Sequence, residues 1–239
     1  MVYLDPYKKV EFPNFLTEEE CLHVAHILRR DEHKILDIPN GIDDRWEDSG
    51  TTSKYAVYNL LRHPDIRPLN IPDRLFELPL FTPNKDEWFD ELWIQCWGNI
   101  LHQEENLANH SHSNEKDIEA GIIQPLVACS IYLDGQDPCY THWDGIPQRN
   151  ERGTLHVAGM HFEHEVKQNI HTTPRISIAF DIYWKADWIV QLETKRFLHA
   201  KRPTFISEDH MRRKRQEEPL MIDAEGHGIP RRHTILRDK

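Results

Sequence analysis

The sequence has no long hydrophobic run and few cysteines. No stretch approaches the about 20 consecutive apolar residues that a membrane helix needs. The first six residues lack the basic and then apolar segments of a secretory signal, so we expect a cytoplasmic protein. The cysteines form no C-x-x-C pair, which predicts buried, reduced thiols rather than a disulfide scaffold or a zinc knuckle. They are Cys21, Cys96, Cys129 and Cys139.

Positive charge is also in short supply. The chain has 29 Lys and Arg against 40 Asp and Glu, and its net charge is −11. This balance argues against bulk binding of nucleic acid, where neutralisation of phosphates supplies much of the affinity. Hydrophobic residues make up 38% of the 239 residues and seven are Trp, which is enough for a core. Length and composition together predict one domain, residues 1–239, with local additions.

The N-terminal part of the chain predicts a helix followed by a long surface segment. Thr17 and Glu20 have the spacing of a capping box, and apolar residues then recur at helical spacing. We expect this helix to end near Arg29 and Arg30, cations that suit its C-terminus. Residues 37–83 are punctuated by Pro, Gly and Asp, with one helical piece predicted around residues 55–61.

The centre of the chain is rich in predicted strands. Residues 92–100 and 126–133 are short apolar runs typical of strands buried on both faces, and another strand begins at 153–157. Residues 175–182 alternate large apolar with smaller or polar side chains, which predicts a half-buried strand. The pattern favours a mainly β jelly roll or barrel with flanking helices. From about residue 188 the chain is charged, and we expect a solvated helix and tail there.

Histidine is abundant, with 16 residues, so spacing rather than number must identify a site. Candidates are the pair His110 and His112, the pair His142 and Asp144, and the single His164. Two His and one carboxylate on one face of a metal hold Fe(II) with positions left open. In a jelly roll about four strands separate the paired ligands from the last His. The chain from His112 to His164 is long enough for them, whereas the chain from Asp144 holds about two. We therefore predict that His142 and Asp144 are turn residues.

Several motifs in order carry a family resemblance. They are residues 12–21, 97–100 with 109–112, 129–133, 153–164 and 174–180. This series resembles the Fe(II)- and 2-oxoglutarate-dependent oxygenase superfamily, in particular the prolyl-hydroxylase-like hydroxylases of bacteria and phages. The resemblance extends from about Phe12 to Trp184 and implies a double-stranded β-helix, the cupin-like jelly roll.

The resemblance also implies a ligand set. His110, His112 and His164 would hold Fe(II), and O2 would take a remaining position. Arg175 and Ser177 lie two residues apart on a strand and share a face, so a guanidinium fork and a hydroxyl can meet one carboxylate. By resemblance this is the far carboxylate of 2-oxoglutarate. A second group of side chains would line the barrel, where one could bond the cosubstrate: Asn99, Tyr132 and Gln95.

The third metal ligand departs from the family pattern. Most members have Asp or Glu two residues after the first His, where this chain has His112. Either His112 completes a three-His site, or a nearby carboxylate replaces it. An imidazole there would fill the space that halogenating relatives leave for chloride, so halogenation is disfavoured. The candidate carboxylates are Glu104, Glu105, Glu115 and Asp117, and His161 is expected to lie outside the ligand set.

The implied activity is hydroxylation of a C–H bond in an amino-acid, peptide or small-metabolite substrate, with release of succinate and CO2. One alternative is a cupin-type dioxygenase with three His ligands and no 2-oxoglutarate, which the Arg175 and Ser177 pair argues against. Another is a jelly-roll binding module without catalysis. Substrate contacts are expected in residues 37–83, because long loops on rigid scaffolds often carry binding. The side chains predicted for this role are Trp46, Tyr55, Tyr58 and Asn59. Nothing in the sequence predicts the oligomeric state.

Overall fold

The computed structural model describes residues 8–39, 50–55, 57–81, 91–113, 125, 127–183, 197–201 and, for the backbone alone, 221–222. These residues are mainly β, with flanking helices, as predicted. The helices are α1 (Glu18–Leu36) and α2 (Ile71–Phe76). The strands are β1 (Lys9–Phe12), β2 (Glu91–Leu101), β3 (Leu107–His110), β4 (Val127–Asp134), β5 (Tyr140–Trp143), β6 (Ile146–Arg149), β7 (Leu155–Gly159), β8 (His164–Val166), β9 (Arg175–Tyr183), β10 (Leu198–Lys201) and β11 (Met221–Ile222).

The strands form two antiparallel sheets. The larger sheet has the order β10-β2-β9-β4-β7-β1-β11, and the smaller has the order β3-β8-β5-β6. Their facing sides touch, since Arg175 on β9 donates to Thr141 on β5 at 3.1 Å. The strands predicted at residues 92–100, 126–133, 153–157 and 175–182 correspond to β2, β4, β7 and β9.

The two faces of the larger sheet differ in chemistry, and β9 shows this best. Its even-numbered residues, from Ile176 to Ile182, belong to the main hydrophobic core. Its odd-numbered residues, which include Arg175, Ser177 and Asp181, point to the smaller sheet, and we call this the inner face. Every residue of β9 is buried. The prediction of a half-buried strand was therefore wrong, because the smaller sheet covers the face that carries the polar residues.

Helix α1 begins as predicted and ends later. Both hydrogen bonds of the capping box are present between Thr17 and Glu20. The helix does not end near Arg29 and Arg30 but continues to Leu36, where Asp37 caps it. Ile35 is buried in the core and so holds the extra turns to the body of the protein.

Helix α1 packs closely on β2 at a glycine. A Cβ at Gly98 would collide with Cδ2 of Leu28 and lie 3.0 Å from its Cδ1. Gly98 therefore allows the helix and the sheet to approach more closely than a larger residue would permit.

The described part of residues 37–83 is not a surface excursion. It contains α2 and single turns of 3-10 helix, and its apolar side chains join the main core. The helical piece expected at residues 55–61 is misplaced, since regular helix forms at α2 and only a short turn begins at Leu60. The turns are Gly50–Lys54, Leu60–Arg62, Arg67–Leu69 and Pro79–Phe81. Fully buried members include Ile66, Ile71, Leu75, Phe76 and Phe81.

The described residues beyond 188 form strands rather than the expected helix. β10 pairs with β2, and β11 pairs with β1, so both extend the larger sheet. The charged run at 212–218 lies outside the described residues. Within the described ranges, no helix has the length and apolar character to cross a bilayer. The four cysteines are free, as predicted, and only Cys139 is partly exposed.

Candidate metal centre

The topology brings two distant histidines into register. β3 and β8 are antiparallel neighbours in the smaller sheet, and His110 lies directly opposite His164. The four strands β4, β5, β6 and β7 lie between them in the chain, which is the number that the spacing argument required. His112 follows two residues after His110, and its backbone N–H donates to the carbonyl of Met160 at 3.0 Å.

His110, His112 and His164 form one compact group. One ring nitrogen from each lies within 4.8 Å of the others. The ring centroids are 4.2 Å apart for His110 and His164, and 5.2 Å apart for His112 and His164. The structure thus brings together the three residues that the sequence proposed as ligands.

Contacts at the Nδ1 atoms orient the three rings. Nδ1 of His110 lies 2.9 Å from the carbonyl oxygen of Ala108, and Nδ1 of His164 lies 3.5 Å from that of Phe162. Nδ1 of His112 lies 2.6 Å from Oδ1 of Asp181. An Nδ1–H that donates to an oxygen leaves the Nε2 lone pair available, and this arrangement is typical of metal-binding histidines. Three such imidazoles fit a divalent transition metal.

His164 lies deepest in the group. Burial lowers the pKa of His164 well below its usual value, and the neighbouring His110 and His112 lower this pKa further. The ring is therefore neutral at physiological pH, which is the form that binds a metal. Trp143 on β5 stacks on His164 with ring centroids 4.8 Å apart and an interplanar angle of 26°. This stacking fixes the plane of the ring.

The second candidate pair lies outside the group, as predicted, although one of its members is not a turn residue. His142 is part of β5, next to Trp143, because the hairpin turn starts only after the strand pairing ends. Asp144 occupies the turn with φ 48°, followed by Gly145 with φ 79°. His161 also lies outside the group, in contact with the hydroxyl of Ser113.

No carboxylate among the described residues joins the three histidines. Glu105 accepts a hydrogen bond from the backbone N–H of His102 at 2.7 Å, and Glu104 has a turn conformation with φ 73°. Glu115 and Asp117 lie outside the described residues. The carboxylate that contacts the group is Asp181, which sequence reasoning missed. The available signal was its even spacing from Arg175 and Ser177, which places all three on one face of β9.

Arg175 is buried without an anionic partner. It is 9% exposed, and its guanidinium donates to three neutral atoms: Sγ of Cys139 at 3.2 Å, Oγ of Ser177 at 3.0 Å and Oγ1 of Thr141 at 3.1 Å. Among the described residues, no carboxylate forms an ion pair with it. A buried charge without a counter-charge is costly, so this site is suited to a ligand that brings a carboxylate.

Asn99 and Tyr132 lie beside Ser177. They are its cross-strand neighbours on β2 and β4. Oδ1 of Asn99 accepts from Oγ1 of Thr52 at 3.0 Å. The Tyr132 ring lies 5.8 Å from the Arg175 guanidinium carbon, and burial raises the pKa of Tyr132 to about 12. The phenol is therefore protonated at physiological pH and can donate a hydrogen bond.

Two of the residues expected to contact substrate bond to the backbone of β2. β10 pairs only with residues 91–94 of β2, and side chains from residues 51–59 bond to backbone groups between Ile94 and Ile100. Oη of Tyr58 accepts from the N–H of Gly98 at 2.7 Å, and Nδ2 of Asn59 donates to the carbonyl of Ile94 at 2.7 Å. Both side chains provide partners that backbone groups along this edge need, and their contact with substrate stays a prediction.

The other predicted contacts differ from these two. Tyr55 packs against the inner-face residue Trp97, with ring centroids 5.6 Å apart. Its carbonyl accepts from Nε2 of Gln95 at 2.6 Å, so the Gln95 amide holds this segment. Trp46 lies outside the described residues.

No protein-family model matches the chain, and no curated protein matches it. The chain is, however, similar to solved structures. A viral collagen prolyl hydroxylase from Paramecium bursaria Chlorella virus-1, complexed with 2-oxoglutarate, is 14% identical with a TM-score of 0.50, covering 73% of this chain and 95% of that chain. The fold is a double-stranded β-helix. This confirms the architecture that the resemblance predicted, and at this identity the likeness shows the fold alone.

Two further solved structures are similar at lower TM-scores. A Pseudomonas putida prolyl-4-hydroxylase is 16% identical, with a TM-score of 0.44, 75% of this chain covered and 94% of that chain. HygX from Streptomyces hygroscopicus, with nickel and 2-oxoglutarate bound, is 14% identical, with a TM-score of 0.46, 76% of this chain covered and 84% of that chain.

Proposed function

We propose that the protein is an Fe(II)- and 2-oxoglutarate-dependent dioxygenase that hydroxylates a C–H bond. One observation carries the proposal: β9 places a buried guanidinium without an anion, Arg175, on the same inner face as Asp181, which contacts the three-His group. A metal site and a buried cation without an anion, both on the inner side of the larger sheet, are what a chelating keto acid with a second carboxylate requires.

In this proposal the side chains have separate tasks. His110, His112 and His164 hold Fe(II) through Nε2. Bound iron, with 2-oxoglutarate and O2, supplies the oxidation of the C–H bond, and the cosubstrate leaves as succinate and CO2. The protein contributes position and the exclusion of water.

Arg175 and Ser177 receive the far carboxylate of the cosubstrate. The guanidinium offers a fixed fork of donors, and the hydroxyl of Ser177 adds another. Both side chains are buried between the two sheets, where a charge-assisted hydrogen bond is stronger than in water. Asn99 and Tyr132 adjoin Ser177 and can bond the same ligand.

The proposed substrate is an amino acid, a peptide or a small metabolite. The sequence resemblance to prolyl-hydroxylase-like hydroxylases supports this range. The acidic net charge of −11 disfavours nucleic acid.

A second candidate is a three-His dioxygenase of cupin type, in which the substrate itself binds the metal. The absence of a carboxylate from the three-His group in the described residues favours it. It gives no role to the buried charge of Arg175, and for this reason we rank it second.

The decisive experiment measures succinate. Anaerobically prepared Fe(II) protein is supplied with 2-oxoglutarate, O2 and a panel of amino acids, peptides and metabolites. We expect succinate in proportion to O2 consumed, and Arg175→Ala should lose this activity. O2 consumption with substrate but without 2-oxoglutarate would favour the cupin-type enzyme. No O2 consumption under any condition would indicate a binding module.

A further inference from the structure

Asp181 is a buried carboxylate with an unusual partner. Its side chain is on the inner face of β9, and the residue is 6% exposed. Among the described residues, no Lys or Arg forms an ion pair with it, and its polar contact is Nδ1 of His112 at 2.6 Å. Burial of a carboxylate without a permanent cation is costly, so a structural role alone does not account for it.

The contact distinguishes His112 from the other two histidines. His110 and His164 turn their Nδ1 atoms to neutral backbone carbonyls. A carboxylate on Nδ1–H fixes the tautomer and raises the basicity of the opposite nitrogen, Nε2. His112 therefore occupies the position of the usual carboxylate ligand. It is also the histidine whose Nδ1, on the side of the ring opposite Nε2, contacts a carboxylate.

We propose that Asp181 is the positioning residue for His112 and supplies, through the hydrogen bond to Nδ1, the negative charge that a carboxylate ligand would otherwise bring to the metal. This inference rests on the proposed metal centre. It explains how three imidazoles can serve a site in which two imidazoles and one carboxylate are usual: the carboxylate lies one hydrogen bond further from the metal.

The test separates the effect of the negative charge of Asp181 from its effect on the orientation of the His112 ring. In Asp181→Asn the side-chain oxygen can still accept from Nδ1–H of His112, but the charge is removed. In Asp181→Ala both are removed. Loss of a carboxylate behind a ligating His typically weakens metal binding by about 10- to 100-fold. We expect Asp181→Asn near the lower value and Asp181→Ala near the upper.

The matched control is Asp31→Asn. Asp31 is another largely buried carboxylate that contacts a histidine, with Oδ2 3.2 Å from Nε2 of His63, but it lies on α1 and pairs with Arg30 and Lys34. This substitution should leave the metal affinity unchanged. Each protein is titrated anaerobically with Fe(II) and, separately, with Co(II), whose d–d absorption reports the ligand field directly.

A further measurement tests the hydrogen bond between Asp181 and His112 itself rather than metal binding. In the metal-free wild-type protein, with ring-labelled histidine, the Nδ1 proton of His112 should resonate far downfield because it is shared with a carboxylate. It should move upfield in Asp181→Asn, while the signals of His110 and His164 stay in place.

The outcomes distinguish this inference from the proposed function. If the wild-type protein binds neither metal, the metal centre and the role of Asp181 are both wrong. If it binds metal and Asp181→Asn binds equally well with an unchanged Co(II) spectrum, only the role of Asp181 is wrong. If Asp181→Asn loses the metal but His112→Ala keeps it, Asp181 is itself the ligand, and the positioning role is overturned.

Discussion

Nη1 of Arg175 donates a hydrogen bond to Oγ of Ser177 at 3.0 Å, within one strand and on one face. The two residues are neighbours on the inner face because strand residues two apart point the same way. Their donors are held in place before any ligand arrives. The guanidinium donates its hydrogen bonds to weak, neutral acceptors. An incoming carboxylate can replace these acceptors with little loss of free energy.

Replacement of Arg175 should therefore weaken binding of 2-oxoglutarate. Truncation of one partner of a buried charged pair costs about 2–5 kcal/mol. At 1.4 kcal/mol per decade this is roughly 30- to several-thousand-fold. Arg175→Ala should raise the 2-oxoglutarate concentration needed for half-saturation by at least the lower of these factors, roughly 30-fold. Arg175→Lys should restore only part of the affinity, since a point charge lacks the fork of donors. The measurement is an anaerobic titration of the Fe(II) protein, followed by the visible charge-transfer band of the chelate.

Two controls sharpen this titration. Ser177→Ala should cost less, about 1 kcal/mol for one ordinary hydrogen bond. Iron content should be unchanged in all three variants, because neither Arg175 nor Ser177 is a metal ligand. An Arg175→Ala protein that titrates like the wild type would exclude this mode of binding and favour the cupin-type alternative.

Loss of His164 should abolish metal binding. It is the buried member of the three-His group, and its removal leaves two ligands that lie two residues apart in the chain. His142→Ala is the matched control, because His142 is also a β-strand histidine but lies outside the group. The metal content of both proteins is measured after anaerobic loading and desalting. Iron retained by His164→Ala, or lost by His142→Ala, would contradict the assignment.

Loss of His112 should severely weaken the affinity for the metal, but the effect should differ from that of losing His164. With His112→Ala the carboxylate of Asp181 loses its hydrogen-bond donor and faces the space left by the ring. We expect iron affinity to fall with recovery by added imidazole, which can occupy that space. Titration with Fe(II), with and without imidazole, checks this. A metal-loaded crystal structure in which the His112 ring is turned to solvent would refute its role.

The parts of the molecule that could be predicted are those that local sequence patterns determine. The capping box at Thr17 and the long strands β2, β4 and β9 depend on residues close in sequence, and they formed as expected. The spacing between His112 and His164 was sufficient to choose the histidine pair, because that stretch is long enough for four strands of average length whereas the stretch from Asp144 is not.

The unpredicted parts depend on contacts between distant segments. β3 and β8 are only four and three residues long and exist because they pair with each other. The contact of Asp181 with His112 joins the two sheets across 69 positions of sequence. Tyr58 and Asn59 resemble binding-loop residues in sequence, and only the open edge of β2 shows that they are needed to satisfy its backbone.

The capping box should make stability depend on pH. The Arg74 guanidinium, helped by the backbone of Thr17, holds the pKa of Glu20 below its ordinary value of 4.5, although partial burial opposes the shift. Nη1 of Arg74 donates to Oε2 of Glu20 at 2.9 Å and so joins α2 to the start of α1. Because the folded pKa is lowered, the carboxylate stabilises the fold above pH 4.5, and this contribution is lost as the pH falls through the folded value.

Glu20→Gln should therefore reduce the free energy of unfolding by about 1 kcal/mol at pH 7, within the range for helix caps, and by less at pH 3. Urea unfolding followed by circular dichroism at both pH values checks this. Glu19→Gln is the control: Glu19 is an exposed carboxylate in the same first turn of α1, and it shares only the favourable interaction with the helix dipole. An equal, pH-independent effect of both substitutions would show that the bonds of Glu20 do not matter.

Gly98 should be required by the packing of α1 on β2. A methyl group at this position meets Leu28, which is fully buried and cannot swing into solvent. Overpacking of this kind costs about 1–3 kcal/mol, partly offset by the lower entropy of the unfolded chain with alanine. Leu28→Ala alone should cost about 2–5 kcal/mol through the cavity it leaves. When Gly98→Ala is combined with Leu28→Ala, the new methyl group enters that cavity. The loss of stability in the double variant should therefore be smaller than the sum of the losses in the two single variants. A double-mutant cycle by urea unfolding measures the coupling, and strict additivity would show that Gly98 and Leu28 do not limit the approach of helix and sheet.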